Sequence, residues 1–424
     1  MCIDLFVHSA SQLLTMPGGP QRSSALGTLG LIEDGAVAIH AGKIIATGTT
    51  TSLRGRFEPR HEIDATGKVV LPGFVDPHTH AVWAGDRVDE FEMRIAGATY
   101  LEIMRAGGGI MATVRQTRAA SVQQLVDQTR ARLQRMLAHG TTTVEVKTGY
   151  GLDTAAELRQ WAALARLQTE GPWDIVPTFL GAHAVPTEYA GRDDAYVDVV
   201  VNEMLPAVRE QGVAMPGPVF CDVFCDDGAF TVAQARRVLE QARTLGFGVK
   251  IHADEFAHVG ATALAVALGA VSADHVVRTS AEDISALGQS KTIAVSLPCT
   301  PFGLGQNDYT PARALLAANG LLALATDCNP GTAWCESMPF VVALACRYLH
   351  LTPAQAVAAA TINAAYAAGV GDRVGSVEVG KQADVLVLDI PDYRHVGYRF
   401  GTNVVRTVVK AGRIVVETGQ GGVL

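Results

Sequence analysis

The chain has 424 residues, 48% apolar and 18% charged, which excludes a disordered segment and supplies side chains for a large core. A formal charge of −8 with no Lys/Arg run argues against binding nucleic acid or a membrane, while one local arginine still permits a small anionic substrate. Seven scattered cysteines without a C-x-x-C pair exclude a disulfide framework and a zinc knuckle.

In chain order, MCIDLFVHSASQ has no basic leader, so no signal peptide is expected. Residues 35–48, GAVAIHAGKIIATG, alternate around Ala-Gly-Lys and predict a β-hairpin. VVLPGFVD then opens a series of eight apolar runs, continued by TTTVEVK, DIVPTFLGA, VFCDVFCD, GVKIHA, AVSADHV, TIAVSLP and LLALATD. Helices between them have clear starts: capping boxes at Ser121/Gln124, Thr154/Glu157 and Thr231/Gln234, and Thr352-Pro353. Eight strands alternating with helices predict a (β/α)8 TIM-like barrel over residues 71–370. No G-x-G-x-x-G follows the first strand, which disfavours a dinucleotide-binding open sheet. A second hairpin, VVRTVVKAGRIVVETG, and the strand QADVLVLDI follow near the C-terminus. With the first hairpin they predict a small β-sandwich-like domain built from residues 1–70 and 371–424. No run approaches the ~18–20 apolar residues of a membrane span, and the expectation is a soluble cytoplasmic protein.

The chemistry concentrates at strand ends. His78 and His80 in DPHTH are two residues apart, so on an extended chain both side chains project to one side. His183, His252 and His275 end three later runs, and Asp327 ends the last. In a barrel these ends converge on the face that carries catalysis. Neutral imidazoles with a carboxylate suit zinc or iron and leave a position for water, whose pKa the ion brings down toward about 7. Asp327 can reach both metal and water, which suits it to accept the proton. Arg87 in AGDR can pair bidentately with a carboxylate, or can make a surface pair with Asp86 or Asp89. Tyr150 in Gly149-Tyr150-Gly151 reads as a binding group. Lys147 ends the second strand, TTTVEVK. Asp222, Asp226 and Asp227 read as helix-capping or solvated.

GKVVLPGFVDPHTHAVWAG, KIHADE, SADHV and TDCNPG together resemble the amidohydrolase superfamily, and the likeness runs through essentially the whole chain. AGDRVDEFEMRIAGATY, GGGI, KTGYGL, FLGAHAVP and TDCNPGT are similar to its branch that opens the imidazolone ring in histidine degradation. The resemblance implies one metal held by His78, His80, His252 and Asp327. It also implies hydrolysis of 4-imidazolone-5-propanoate to N-formimidoyl-L-glutamate, with Arg87, Tyr150, His183, Glu255 and Thr332 lining the substrate site and Asn329 and Gly331 holding product. Within that assignment Glu255 holds a ring nitrogen or moves a proton to the leaving nitrogen. His183 donates to the carbonyl oxygen or contacts the ring. His275 orients the water or stabilises the oxyanion. Glu255, His275 and Asp327 are thus the expected catalytic groups, and the partner is a small molecule. The apolar surplus leaves room for a homodimer. Two rival functions are a guanine- or cytosine-deaminase-like aminohydrolase, which an arginine near the metal disfavours, and a non-catalytic scaffold, which the filled ligand positions disfavour.

Overall fold

The two Ala-Gly turns determine how the chain ends fold. In the computed structural model, which describes residues 1–99, 102–103, 106–212, 215 and 217–418, Gly35–His40 pairs antiparallel with Lys43–Thr49. Val405–Lys410 pairs likewise with Arg413–Glu417. Ala41, Gly42, Ala411 and Gly412 all have positive φ, the two-residue turn whose twist matches the flanking strands. Tyr100, which closes the AGDRVDEFEMRIAGATY motif, and residues 419–424 lie outside the described residues.

Strands from both termini form two sheets. One has four strands, in the order Lys43–Thr49, Gly35–His40, Cys2–Ala10, Glu58–Asp64. The other has six: Arg413–Glu417, Val405–Lys410, Val385–Leu388, Val69–Pro72, Gln12–Leu14 and Leu31–Ile32. Alternation along the second sheet explains its unbroken apolar runs. Val70, Val385 and Val387 face the four-stranded sheet, packing with Leu5, Val7 and Ile39. Leu71, Leu386 and Leu388 face the other way and join the barrel core.

VVLPGFVD is not one strand as the sequence suggested. Val69–Pro72 belongs to the six-stranded sheet and Phe74–Asp76 is the first barrel strand. The chain crosses between them at Gly73, where a Cβ would collide with the Thr142 side chain. Seven parallel strands follow: Thr141–Lys147, Asp174–Ala182, Phe220–Cys225, Gly248–Ala253, Ser272–His275, Ile293–Ser296 and Leu321–Leu324. The seam between the eighth and first strands is closed beyond their ends. Thr79 bridges Cys328, the Asp327 amide donates to the His78 carbonyl (3.1 Å), and the His80 amide donates to the Cys328 carbonyl (2.9 Å). The closing bonds of the barrel thus bring together residues that are some 250 positions apart in sequence.

The capping boxes at Ser121 and Thr231 form as expected, and Thr352 caps its helix ahead of Pro353 as expected, with Gln355 completing a box there too. Thr154 does not cap its helix. Asp153 does, and Glu157 turns back to accept from the amides of Gly149, Gly151 and Leu152, fixing the glycine-flanked loop that carries Tyr150. Among the described residues no helix is long and apolar enough to cross a membrane.

Candidate active site

His78, His80, His252 and Asp327 converge at the seam. The Nε2 atoms of His78 and His80 each lie 3.6 Å from Asp327 Oδ1, and His80 Nε2 lies 3.3 Å from His252 Nε2. Burial pushes His78 and His80 well below the usual histidine range, so both rings are neutral. The protons sit on the outer nitrogens of two of them. His78 Nδ1 donates to Asp274 Oδ2 at 2.6 Å, and His252 Nδ1 faces Asp222 Oδ2 at 3.0 Å. The inner nitrogens therefore present lone pairs, and His78 Nε2 has no hydrogen-bond partner. Imidazole lone pairs facing one another beside a carboxylate repel unless a cation lies among them. This donor set fits a metal ion.

Beneath the ligands lies a buried ionic layer. Lys147 Nζ is 2.8 Å from both Glu145 Oε1 and Asp222 Oδ2 and 3.5 Å from Asp274 Oδ2, and Lys250 reaches Glu145 at 3.3 Å. Burial alone would raise the Asp222 carboxyl, but His252 and Lys147 outweigh it and hold it well below the usual range. Asp222 therefore neither caps a helix nor is solvated, against expectation. Asp226 is buried too, and accepts from the amides of Glu255, Phe256 and Ala257, while Asp227 is exposed as expected.

Asp327 and His275 both sit in the left-handed backbone region (φ 54° and 72°), which costs a non-glycine residue roughly 1–2 kcal/mol and aims each side chain back over the barrel. Thr300 donates to Asp327 Oδ2, leaving Oδ1 toward the imidazoles. Burial pushes Asp327 up to about 6 against that bond. Glu255 Oε2 is 3.5 Å from His275 Nε2, and burial, then the charges of Asp327 and Asp226, raise Glu255 well above the carboxylate range. His183 stacks on His80 at 4.9 Å and its Nδ1 bonds the Gly149 carbonyl at 3.0 Å. A carbonyl only accepts, so Nδ1 carries the proton. Burial first, with the charge of His252, pulls the ring down to about 3. Neutral in this tautomer, His183 offers a ligand an acceptor at Nε2, so of the two roles left open by the sequence it cannot donate to a carbonyl oxygen.

A cavity of about 740 Å³ is lined by Phe224, whose ring packs on His252 and His183, and by Arg87, Arg94, Gly331 and Thr332 among others. Arg87 pairs with neither Asp86 nor Asp89. Its Nε and Nη2 grip Glu90 at 2.9 and 2.6 Å. A Cβ on Gly331 would run into Arg87 Nη1. Tyr150 is buried, its ring centroid 5.3 Å from that of His183. Asn329 bonds its own loop, accepting from the amides of Gly331 and Thr332 at 2.8 Å each.

Residues 69–415 match the model of the amidohydrolase family. The chain belongs to that family. Other amidohydrolases named imidazolonepropionase are similar to it over nearly full length. That of Herpetosiphon aurantiacus is 55% identical over 97% of each chain, and that of Chloroflexus aggregans 52% over 97% of this chain and 98% of its own. That of Symbiobacterium thermophilum is 48% identical over 99% and 98%. Solved structures share the fold: an adenosine deaminase from Xanthomonas campestris with bound zinc (TM-score 0.75, 22% identity, 98% of this chain and 93% of that one) and Escherichia coli guanine deaminase (0.72, 16%, 98% and 99%).

The barrel brings His78, His80, His183, His252, His275, Glu255, Asp327 and Tyr150 together, while Arg87, Gly331 and Thr332 line the cavity and Asn329 braces the loop of the last two. Sequence reasoning missed Glu90, Arg94, Thr300 and Asp274. Asp274 left a signal, a carboxylate inside the buried run AVSADHV. Thr300 left none.

Proposed function

We infer that this chain opens the ring of 4-imidazolone-5-propanoate by hydrolysis, giving N-formimidoyl-L-glutamate, in the cytoplasm as a step of histidine degradation. The observation that carries this reading is 55% identity over 97% of the chain to an amidohydrolase named for that reaction. The deaminases share the barrel at 22% identity or less, which speaks for the fold alone.

His78, His80, His252 and Asp327 would hold the metal, zinc or iron, since nitrogen and oxygen donors accommodate either. When bound, such an ion acidifies a coordinated water and polarises a carbonyl. The rest is done by side chains. Asp327, fixed by Thr300, accepts a proton from the attacking water through Oδ1. His275, buried at the end of its strand, faces the ring carbonyl and bonds the oxygen that gains charge. Water's oxygen joins the carbonyl carbon and the ring C–N bond breaks. Glu255, kept protonated by burial, gives its proton to the leaving nitrogen and recovers one from the Asp327 side. His183 accepts from a ring N–H, Tyr150 walls the ring, and Arg87 faces the propanoate, with Asn329 shaping the loop of Gly331 and Thr332.

The test is loss of imidazolone ultraviolet absorbance by purified, metal-loaded protein, with ammonia measured alongside. Ring opening without ammonia is expected, and Glu255→Gln should lower kcat about 100-fold or more with little change in KM. Ammonia release without ring opening would transfer the protein to the deaminases.

A further inference from the structure

We propose that Arg94 forms the second half of the site for the substrate's carboxylate, so that the tail lies between two guanidinium groups. This rests on the ring-opening reading above. The helix Val88–Ile95 is turned unusually: Val88, Phe91 and Ile95 are 62%, 56% and 74% exposed, while Arg87, Glu90 and Arg94, at i, i+3 and i+7, line the cavity. An amphipathic helix buries its polar stripe only when that stripe has something polar to meet.

Within the stripe the charges are unequally satisfied. Glu90 neutralises Arg87 through two bonds and is itself anchored by the Gly109 amide at 3.0 Å, so it is not free to serve a second arginine. Arg94 donates through Nη2 to the Gly331 carbonyl at 3.0 Å, and among the described residues no carboxylate lies within 4 Å of it. Among the described residues its Nε and Nη1 donors have no partner. Asp227, also on the cavity wall, is exposed and forms no ion pair with either arginine. The trio thus carries one surplus positive charge.

Both guanidiniums meet at one residue. Arg87 Nη1 fills the space a Cβ would take on Gly331, and Arg94 bonds the Gly331 carbonyl. A carboxylate entering there finds Nη1 of Arg87 on one side and the unused donors of Arg94 on the other. Burial and then the Arg87 charge pull Arg94 below its ordinary range, and an incoming anion would relieve that crowding. The ligand class is a small molecule with a short carboxylate tail.

The experiment compares wild type, Arg94→Gln and Arg94→Lys, all metal-loaded, on the natural substrate and on its analogue with a carboxamide tail. Arg94→Gln should raise KM for the carboxylate substrate about 10- to 100-fold, with kcat within about twofold. The carboxamide analogue should shift by less than about twofold, and Arg94→Lys should recover part of the loss. An unchanged KM would overturn the assignment. So would equal losses on both substrates, which would make Arg94 only a prop for Gly331. A wild-type protein that opens neither ring would instead defeat the ring-opening reading, which separates the two failures.

Discussion

Asp274→Asn tests whether the layer beneath the imidazoles tunes metal binding. The wild-type carboxylate accepts the His78 Nδ1 proton at 2.6 Å, both side chains fully buried, and stands 3.5 Å from Lys147. Asparagine keeps the volume and one acceptor oxygen but removes the charge. The imidazole then becomes a weaker donor of its Nε2 pair and is less firmly oriented. Loss of such an outer partner typically costs 10- to 100-fold in metal affinity, or about 1.4–2.8 kcal/mol. The measurement is competition against a chelator of known affinity at fixed pH, with the melting temperature of the metal-free variant as the folding control. Affinity within about twofold of wild type, in a variant that melts normally, would refute the idea that Asp274 sets the ligand strength of His78.

Two further outcomes follow from the geometry. Gly331→Ala places a methyl group where Arg87 Nη1 lies, so KM for the propanoate-bearing substrate should rise roughly tenfold with kcat retained; unchanged Michaelis kinetics would show that Arg87 can move aside without cost. Asp174, at the start of the third barrel strand, meets Lys410 at 2.8 Å and Arg373 at 3.0 Å, and these cations, against burial, hold its carboxyl below the usual range. A carboxyl lowered in the folded state stabilises it above pH ~4 and loses that contribution as pH falls through the folded value. Asp174→Asn should therefore cost about 2 kcal/mol at pH 7 in denaturant unfolding, with the gap closing below pH ~4; a gap independent of pH would exclude the charge pairing as its source.

Much of the fold is legible because several local signals agree. Both Ala-Gly turns, the capping boxes at Ser121 and Thr231 and seven of the eight apolar runs survive as read, and the eighth supplies the first barrel strand from its second half. The split of VVLPGFVD is not legible, because its residues are buried on both sides of Gly73 and an unbroken apolar run carries no mark of which sheet it joins. Thr154 misleads for a different reason. Thr-x-x-Glu has the spacing of a capping box, but Asp153 is one residue earlier and a better acceptor, and Glu157 gains more by holding three loop amides. The converging histidines and Asp327 are legible from their place at strand ends. Their supports are harder to read, since a carboxylate that bonds a buried lysine looks, in sequence, like any charged residue near a turn.

The barrel interior nevertheless left a trace. Glu145 and Lys147 alternate within TTTVEVK, and Lys250 and His252 within GVKIHA, charged or polar groups two apart in fully buried stretches. Residues two apart share a face, and in a closed barrel the face that must be filled is the inner one, which branched aliphatic side chains usually fill. Here Lys147 and Lys250 meet Glu145, Asp222 and Asp274, leaving one formal negative charge in that layer, and Asp327 above adds another. Asp76, bonded to Thr326, is pushed up to about 7 by burial first, with the charge of Glu145 adding to it. An excess of carboxylates beneath and beside the imidazoles suits a cation. The ionic floor thus orients the imidazoles and gives them an anionic setting, which is why neutralising one of its members should be felt first in metal affinity.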